Sequence, residues 1–113
     1  MVERLGLGVI PGTGWRADEI QDVARAAEDA GFEGVFCAEV NNDAIATALL
    51  MGVATSRIKV GTWVANVYIR PTYLCAKSAM LAADATGGRI VLGLGVSHQP
   101  VASAASMALF AHR

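Results

Sequence analysis

Four short apolar segments recur along the chain at intervals of 24 to 31 residues, and this repeat restricts the possible folds more than any other feature. Each segment is apolar on both faces, as expected for a strand that is covered on both sides. A stretch with helical periodicity separates each segment from the next. The repeat therefore predicts a βαβαβαβ series with strands at Leu5–Ile10, Gly34–Ala38, Ile58–Val64 and Arg89–Val96.

The stretches between the strands carry the start and stop signals of helices. From Ala17 the apolar residues follow a helical stripe, and Gly31 suits the left-handed position after the last turn. Arg70-Pro71 opens the third helix with proline at the favoured first position, and Gly87-Gly88 ends it. The second helix, from Ala44 to about Thr55, is preceded by polar residues that can cap it, namely Glu39, Asn41, Asn42 and Asp43.

Parallel strands joined by single helices occur in two architectures, an open doubly wound sheet and an eight-stranded barrel. A complete barrel needs roughly 250 residues, whereas this chain has 113. On the barrel interpretation, residues 1–100 form the first four βα units of a (β/α)8 TIM barrel, which is its N-terminal half. Residues 101–113 are rich in Ala, and we expect them to be an atypical tail with no fifth strand.

Composition excludes several functional classes. Hydrophobic residues make up 54% of the chain and charged residues 17%, the reverse of a disordered protein. The net charge of −1 gives no basic field, so we expect neither nucleic acid nor membrane as a partner. The longest apolar stretch, Ala44–Ala54, is too short for a bilayer span, and the first residues lack a signal-peptide pattern. These features predict a cytoplasmic protein.

The two cysteines carry no metal or redox signal. Cys37 and Cys75 are 38 residues apart, with no CxxC motif and no cluster of Cys and His around them. We therefore expect two small buried apolar side chains and no metal site.

Polar and glycine residues concentrate where the predicted strands end. Ligands of parallel α/β proteins bind at the carboxyl ends of the strands, so these segments are the candidate functional site. The four segments are Pro11–Trp15, Ala38–Asn41, Trp63–Asn66 and Gly93–His98.

Several blocks of the sequence resemble the luciferase-like monooxygenase superfamily, and within it the branch that uses coenzyme F420, an 8-hydroxy-5-deazaflavin. The resemblance extends over about Leu5 to Pro100 in the family's order. Its most specific part is the last two blocks in tandem. The blocks are Glu28–Phe32, Ala54–Thr62, Arg70-Pro71 and Thr86–Gly95.

The resemblance implies a (β/α)8 barrel whose coenzyme ring lies across the strand ends. It also implies a bulge in the third strand that often contains a non-prolyl cis peptide against the ring, here at Gly61–Val64. Trp63 departs from the family, which more often has a small residue at this position. The coenzyme-binding residues that the resemblance implies are Glu39, Trp63, Val64, Asn66, Gly95, Val96 and Ser97.

The implied function is an oxidoreductase that transfers hydride between coenzyme F420 and a small organic substrate. The alternative within the superfamily is a monooxygenase that uses FMN. Val40 stands where several members have a histidine, so the sequence assigns no catalytic residue. Because half a barrel holds half of the site, we expect this chain alone to bind the coenzyme weakly and to turn nothing over. Its open strand edges and its apolar content predict a homo-oligomer or a self-associating fragment.

Simpler interpretations exist for the same residues. Glu39 can neutralise the N-terminus of the second helix, and Asn66 can act locally in a turn. Trp15 and Trp63 can be packing aromatics, and His98 a solvated loop residue.

Two further functions come from other classes of protein. Gly12, Gly14 and Ala17 fit the G-x-G-x-x-A pattern of an NAD(P)-binding Rossmann domain, with Glu39 as its ribose-binding acid. Against this, Trp15 crowds the phosphate position. The last alternative is a half-barrel remnant or interaction subunit without catalytic activity.

Overall fold

The computed structural model describes residues 4–12 and 14–96, which form four strands and three helices. The strands are connected by helices throughout this part of the chain. The elements are β1 (Gly6–Val9), α1 (Ala17–Asp29), β2 (Gly34–Cys37), α2 (Ala44–Val53), β3 (Lys59–Asn66), α3 (Thr72–Ala85) and β4 (Ile90–Gly95).

The strands form one parallel sheet in the order β1-β2-β3-β4. This order is the one that consecutive units of a barrel require, and it confirms the predicted series of four strands. A dinucleotide-binding fold would place β3 and β4 on opposite sides of the β1–β2 pair. The Rossmann interpretation is therefore wrong. The tail at 101–113 lies outside the described residues.

The three helices cover one face of the sheet, which we call the outer face. Its core contains fully buried side chains from the strands and α2, with Val35, Val60 and Met51 all at 0% exposure. From α1, Ile20 and Ala27 join this core, as the helical stripe predicts. Burial of these apolar side chains is the main contribution that holds the helices on the sheet.

The opposite, inner face carries few large side chains among the described residues. Phe36 lies across it and contacts the positions of three glycines, Gly6, Gly34 and Gly61. A Cβ atom at Gly34 would come within 2.6 Å of the Phe36 ring, so that position has no room for a side chain. The glycines of the apolar segments thus let one aromatic ring lie flat on three strands.

Several predicted boundaries are confirmed and others shift. Gly31, Gly87 and Gly88 have positive φ angles of 89°, 62° and 82°, as expected where helices end. The second helix stops at Val53 rather than near Thr55. Pro71 is the residue before α3 and not its first residue, because its ψ of 135° is extended.

Two charged side chains fix the loops at the amino ends of the strands. The Glu28 carboxylate accepts hydrogen bonds from the backbone N–H groups of Ser56, Arg57 and Ile58, at 3.0, 2.7 and 2.9 Å. These bonds, led by that from Ile58, lower the pKa of Glu28 to about 2. Arg89 donates to backbone carbonyls on three sides, at Gly52, Ile58 and Thr86, among others.

No helix within 4–12 and 14–96 has the length and apolar character needed to cross a membrane. Both cysteines are free. Cys37 is buried, and burial raises the pKa of its thiol to about 12, whereas Cys75 is half-buried. The expected burial is thus complete for Cys37 and partial for Cys75.

Replacing Glu28 tests how much the loop before β3 depends on this carboxylate. We expect Glu28→Gln to lower the free energy of unfolding at pH 7 by about 1 to 3 kcal/mol, because an amide is a weaker acceptor than a carboxylate. The folded pKa of about 2 lies below the ordinary 4.5. The contribution is therefore complete above about pH 5 and is lost as the pH falls toward 2.

Urea unfolding at pH 7 and pH 3 measures this difference. Asp29→Asn is the matched control, since Asp29 is exposed and its side chain bonds to no other described residue. A Glu28→Gln variant as stable as the control at pH 7 would show that the three hydrogen bonds contribute nothing.

Candidate functional site

The third strand is interrupted by a bulge close to its carboxyl end. Thr62 pairs with Leu92 and Ala65 with Leu94, so two residues of β3 lie opposite the single residue Gly93 of β4. These two residues, Trp63 and Val64, are joined by a cis peptide bond, which is the feature implied by the family resemblance. The side chain of Thr62 fixes the start of the bulge by bonding both backbone groups of Gly93, at 2.8 and 3.0 Å.

Glycines on β4 make room for this bulge. A Cβ atom at Gly93 would lie 2.3 Å from the carbonyl oxygen of Thr62. A Cβ atom at Gly95 would lie 2.9 Å from Cγ2 of Val64. We expected Gly95 to permit a close approach of a ligand, and the structure gives it a packing role against Val64.

Glu39 follows β2 and is 8% exposed. Its carboxylate accepts hydrogen bonds from the N–H groups of Ala44 at 2.7 Å and Asn66 at 2.9 Å. Arg70 donates to both carboxylate oxygens, through Nε at 2.7 Å and Nη2 at 2.5 Å. Because each oxygen already has two donors, the carboxylate holds four parts of the chain together.

The charge of Glu39 is maintained by these donors. Burial acts to raise the pKa of its carboxyl, but the hydrogen bonds from Arg70, Ala44 and Asn66 outweigh burial and hold the pKa below its ordinary value. Arg70 also bonds Asp43, and its own pKa is raised, chiefly by Glu39. The helix-capping interpretation of Glu39 is confirmed by its bond to Ala44. Its contact with a coenzyme stays a prediction.

Asn66, at the end of β3, has one unused polar atom. Its side-chain oxygen accepts a hydrogen bond from the N–H of Tyr68 at 2.9 Å, which confirms the local turn role and fixes the orientation of the amide. Its Nδ2 atom is buried and has no hydrogen-bond partner in the described part of the chain. Buried donors normally have partners, so this atom needs an acceptor.

Trp63 extends over the inner face. Its side chain is 76% exposed, so Trp63 packs little against the described residues, whereas Trp15, at 40% exposure, is more than half covered by them. Trp63 borders an open cavity of about 500 Å³ that is also lined by Gly8, Ile10 and Phe36. The cavity is therefore a mostly apolar trough along the inner face.

The structure brings most of the predicted residues together at the carboxyl ends of the strands. The N–H of Glu39 donates to the carbonyl oxygen of Val64 at 3.3 Å, and the carbonyl oxygen of Gly95 accepts from Val67 at 3.1 Å. Val96 follows β4 and is exposed, whereas Ser97 and His98 lie outside the described residues.

Sequence reasoning missed Arg70 as the partner of Glu39. We used Arg70 only as a helix-opening signal, although a lone arginine after a strand end, opposite an acidic residue after the preceding strand, fits an ion pair. It also misread Gly12. A Cβ atom there would lie 1.9 Å from the carbonyl oxygen of Val40, so this glycine lets two loops approach each other.

A parallel sheet in barrel order, with its polar and bulged residues at the carboxyl ends of the strands, defines a series of α/β units of the TIM-barrel type whose candidate site lies at that end. The family model of luciferase-like monooxygenases matches residues 4–110. The chain therefore belongs to the luciferase-like monooxygenase family, as the sequence blocks suggested.

Two curated relatives carry names that refer to specific reactions. The chain is 41% identical over 87 residues to a putative coenzyme F420-dependent oxidoreductase of Mycobacterium tuberculosis, covering 74% of this chain and 25% of the relative. It is 35% identical over 83 residues to a 5,10-methylenetetrahydromethanopterin reductase of Methanolobus tindarius, covering 72% and 26%. The chain thus spans about a quarter of the length of these relatives.

Solved structures agree on the fold. The coenzyme F420-dependent tetrahydromethanopterin reductase of Methanopyrus kandleri matches with a TM-score of 0.82 and 25% identity, over 91% of this chain and 30% of that chain. The oxygenating constituent of 3,6-diketocamphane monooxygenase from Pseudomonas putida, solved with FMN, matches with a TM-score of 0.72 and 17% identity, over 90% and 32%. The second likeness shows the fold alone.

The contact between Gly95 and Val64 can be tested by substitution. We expect Gly95→Ala to lower the free energy of unfolding by about 1 to 3 kcal/mol, because the added methyl group overlaps Val64. Combining it with Val64→Ala should recover part of this loss, since the smaller side chain frees the space. Urea unfolding of the two single variants and the double variant gives the coupling.

Gly8→Ala serves as the matched control, because a Cβ atom at Gly8 meets nothing within 4 Å. This control should be as stable as the parent chain or slightly more stable. Additive effects of Gly95→Ala and Val64→Ala would contradict direct packing between the two positions.

Proposed function

We propose that this chain forms one wall of the coenzyme site of an F420-dependent oxidoreductase, which transfers hydride to or from a small organic substrate. Membership of the luciferase-like monooxygenase family supports an oxidoreductase. The names of the M. tuberculosis relative and of the solved reductase at 25% identity both include coenzyme F420, which favours the deazaflavin over FMN. The FMN-containing neighbour is too distant in sequence to argue for FMN.

The observation that carries the proposal is the juxtaposition of Val64 and Asn66 at the carboxyl end of β3. Val64 lies next to Gly93 and Gly95 of β4. Asn66 offers a buried amide donor without an acceptor. A planar heteroaromatic ring with carbonyl groups has a flat apolar face that can pack on Val64. It also has an acceptor for the hydrogen bond that Nδ2 of Asn66 can donate. The residues therefore fit such a ring.

The proposed roles follow from these contacts. Val64, Trp63 and Val96 supply the apolar wall, and Nδ2 of Asn66 donates to an oxygen or nitrogen of the ring. Gly95 keeps Val64 in place. Glu39 is a positioning residue, because its acceptors are already used and it fixes the backbone of Asn66. Ser97 remains a predicted contact.

The coenzyme, when bound, supplies the hydride chemistry, and the protein supplies orientation and shielding from water. Here Val64 and Trp63 would cover one face of the ring and so leave the other face for the substrate. The described residues offer no assigned proton donor for the substrate, in line with Val40 at the position where several members have histidine.

The charged residues at the carboxyl ends of the strands suit the ring of the coenzyme better than its anionic tail. Arg70 is paired with Glu39 and Asp43, and Arg16 with Asp18. Neither cation is free to neutralise a phosphate. Each absent charge-assisted contact is worth about 1.5 kcal/mol or more, so we expect weak binding by this chain.

Fluorescence titration of the deazaflavin tests the proposal. We expect Asn66→Ala to weaken binding about tenfold, which corresponds to the loss of one hydrogen bond of about 1.4 kcal/mol. The ring with its ribityl chain alone should bind within about threefold of the complete coenzyme, because the tail finds no free cation here.

Asn42→Ala is the matched control. Asn42 also carries a side-chain amide beside the strand ends, but its oxygen accepts from the N–H of Val40 and its nitrogen donates to Thr47, so both polar atoms already have partners in the loop. The control should lower stability and leave affinity unchanged. Equal affinities for the parent chain and Asn66→Ala would contradict the site, and complete absence of ring binding at millimolar concentration would contradict the function.

A further inference from the structure

A short turn leads from the end of β3 toward α3, and one oxygen atom holds both of its ends. Oε1 of Glu39 accepts a hydrogen bond from the backbone N–H of Asn66 at 2.9 Å and another from Nε of Arg70 at 2.7 Å. Residues 66–70 therefore form a closed loop, which we call the 66–70 turn. Because Glu39 is buried, water competes little for these two bonds.

Two further hydrogen bonds inside the 66–70 turn fix the side-chain amide of Asn66. The N–H of Tyr68 donates to Oδ1 of Asn66 at 2.9 Å, and the N–H of Ile69 donates to its carbonyl oxygen at 3.4 Å. The bond to Oδ1 leaves Nδ2 as the amide atom that has no partner within 4–12 and 14–96. The direction of Nδ2 thus depends on where the backbone of the turn lies.

Arg70 closes the 66–70 turn through a fork of two hydrogen bonds. Its Nε donates to Oε1 of Glu39 and its Nη2 to Oε2, at 2.7 and 2.5 Å. Two parallel bonds of this kind fix the plane of a carboxylate, because they oppose its rotation. Nη2 also bonds Asp43, the residue that caps α2, so the guanidinium is attached to a second element. With the plane fixed, Oε1 is directed at the N–H of Asn66.

We propose that Arg70 is a positioning residue for the coenzyme, which acts through Glu39 and the 66–70 turn to direct Nδ2 of Asn66 at the ring. The inference rests on the proposed function, since it takes Nδ2 as the donor that meets the ring. Arg70 itself need not touch the ring, because its effect passes through the carboxylate and the turn. The proposal specifies which ligand-binding atom the arginine controls, and a contribution to stability alone would not do so.

Lysine at position 70 would keep the positive charge and lose the fork. A single ammonium nitrogen cannot make two parallel bonds to one carboxylate. The Glu39 carboxylate could then rotate, and the two ends of the 66–70 turn would lose their common anchor. We therefore expect the Arg70→Lys chain to fold and to hold Nδ2 of Asn66 in a wider range of directions.

Fluorescence titration of the deazaflavin ring with its ribityl chain tests the proposal. We expect Arg70→Lys to weaken binding about fivefold, less than the loss of about tenfold for Asn66→Ala, because the donor is misaligned and not removed. In an Asn66→Ala background, Arg70→Lys should change the affinity by less than about twofold, since the atom that it positions is gone. Circular dichroism of each variant shows whether the fold is retained.

Arg89→Lys is the matched control. Arg89 is also a half-buried arginine with several hydrogen bonds, but these reach backbone carbonyls at the amino ends of the strands, such as those of Gly52 and Ile58. The same exchange at this position should lower the free energy of unfolding. It should leave the affinity for the ring within about twofold of that of the parent chain.

Amide hydrogen exchange of the free chain, followed by NMR, gives a readout that needs no coenzyme. The backbone N–H of Asn66 should exchange at least about tenfold faster in Arg70→Lys than in the parent chain, relative to the amides of β2. Arg89→Lys should show no selective change at Asn66. Unchanged protection of this N–H in Arg70→Lys would overturn the proposal, because the turn would then be held without the fork.

The affinities separate this proposal from the proposed function. If Asn66→Ala weakens binding and Arg70→Lys does not, this inference is wrong and the proposed function stands. An effect of Arg70→Lys that is equally large in the Asn66→Ala background would also overturn it, as would an equal loss of affinity in Arg89→Lys. Equal affinities of the parent chain and Asn66→Ala would contradict the proposed function, and this inference with it.

A second variant applies if Arg70→Lys does not fold. Asp43→Asn keeps a side-chain oxygen that can cap α2 but weakens the second attachment of the guanidinium. It should weaken ring binding about threefold, and only when the Asn66 amide is present. An unchanged affinity of folded Asp43→Asn would overturn the proposal.

Discussion

The buried ion pair between Glu39 and Arg70 is the interaction on which the candidate site depends. The Glu39 carboxylate is 5% and the Arg70 side chain 14% exposed, and they meet through two hydrogen bonds. An unpaired charge at this depth would cost several kcal/mol, so neither residue is stable there without the other. The remaining acceptor capacity of the carboxylate goes to backbone groups of α2 and β3. The Glu39 side chain thus fixes the end of β2, the start of α2 and the end of β3.

The third strand is held by a carboxylate at each of its ends. Glu28 accepts from the N–H groups just before β3, and Glu39 accepts from the N–H of Asn66 at its last residue. Between these points the strand contains the bulge at Trp63 and Val64, where pairing with β4 is irregular. The hydrogen bonds at both ends of β3 compensate for the pairing lost at the bulge. They also hold the side chains of Trp63 and Val64 in a defined position.

Much of the fold could be predicted from the sequence because its signals are local. The apolar segments, the helical stripe of α1 and the position of Gly31 each depend only on residues nearby in the sequence. All of them appear close to where they are expected. The start of α3 was off by one residue, since proline fixes its own φ but not the ψ that decides whether the helix has begun. The strand order required the family resemblance, because both candidate architectures share the same series of elements.

The site was less predictable because its contacts join distant parts of the chain. Arg70 and Glu39 are 31 residues apart, and only their positions after neighbouring strands indicate that they meet. The function of Gly95 depends on Val64 across the sheet, and the exposure of Trp63 depends on what covers the inner face. Residue types at strand ends identified the region, whereas the partner of each residue came from the structure.

A double-mutant cycle between Glu39 and Arg70 tests the central claim most directly. The free energies of unfolding of Glu39→Gln, Arg70→Met and the double variant are measured with the parent chain by urea denaturation at pH 7. The account predicts a coupling energy of at least about 1.5 kcal/mol, because Arg70→Met leaves the buried Glu39 carboxylate without its cation and Glu39→Gln leaves Arg70 with Asp43 alone. Additivity within about 0.5 kcal/mol would contradict it, since the two side chains would then stabilise the strand ends independently.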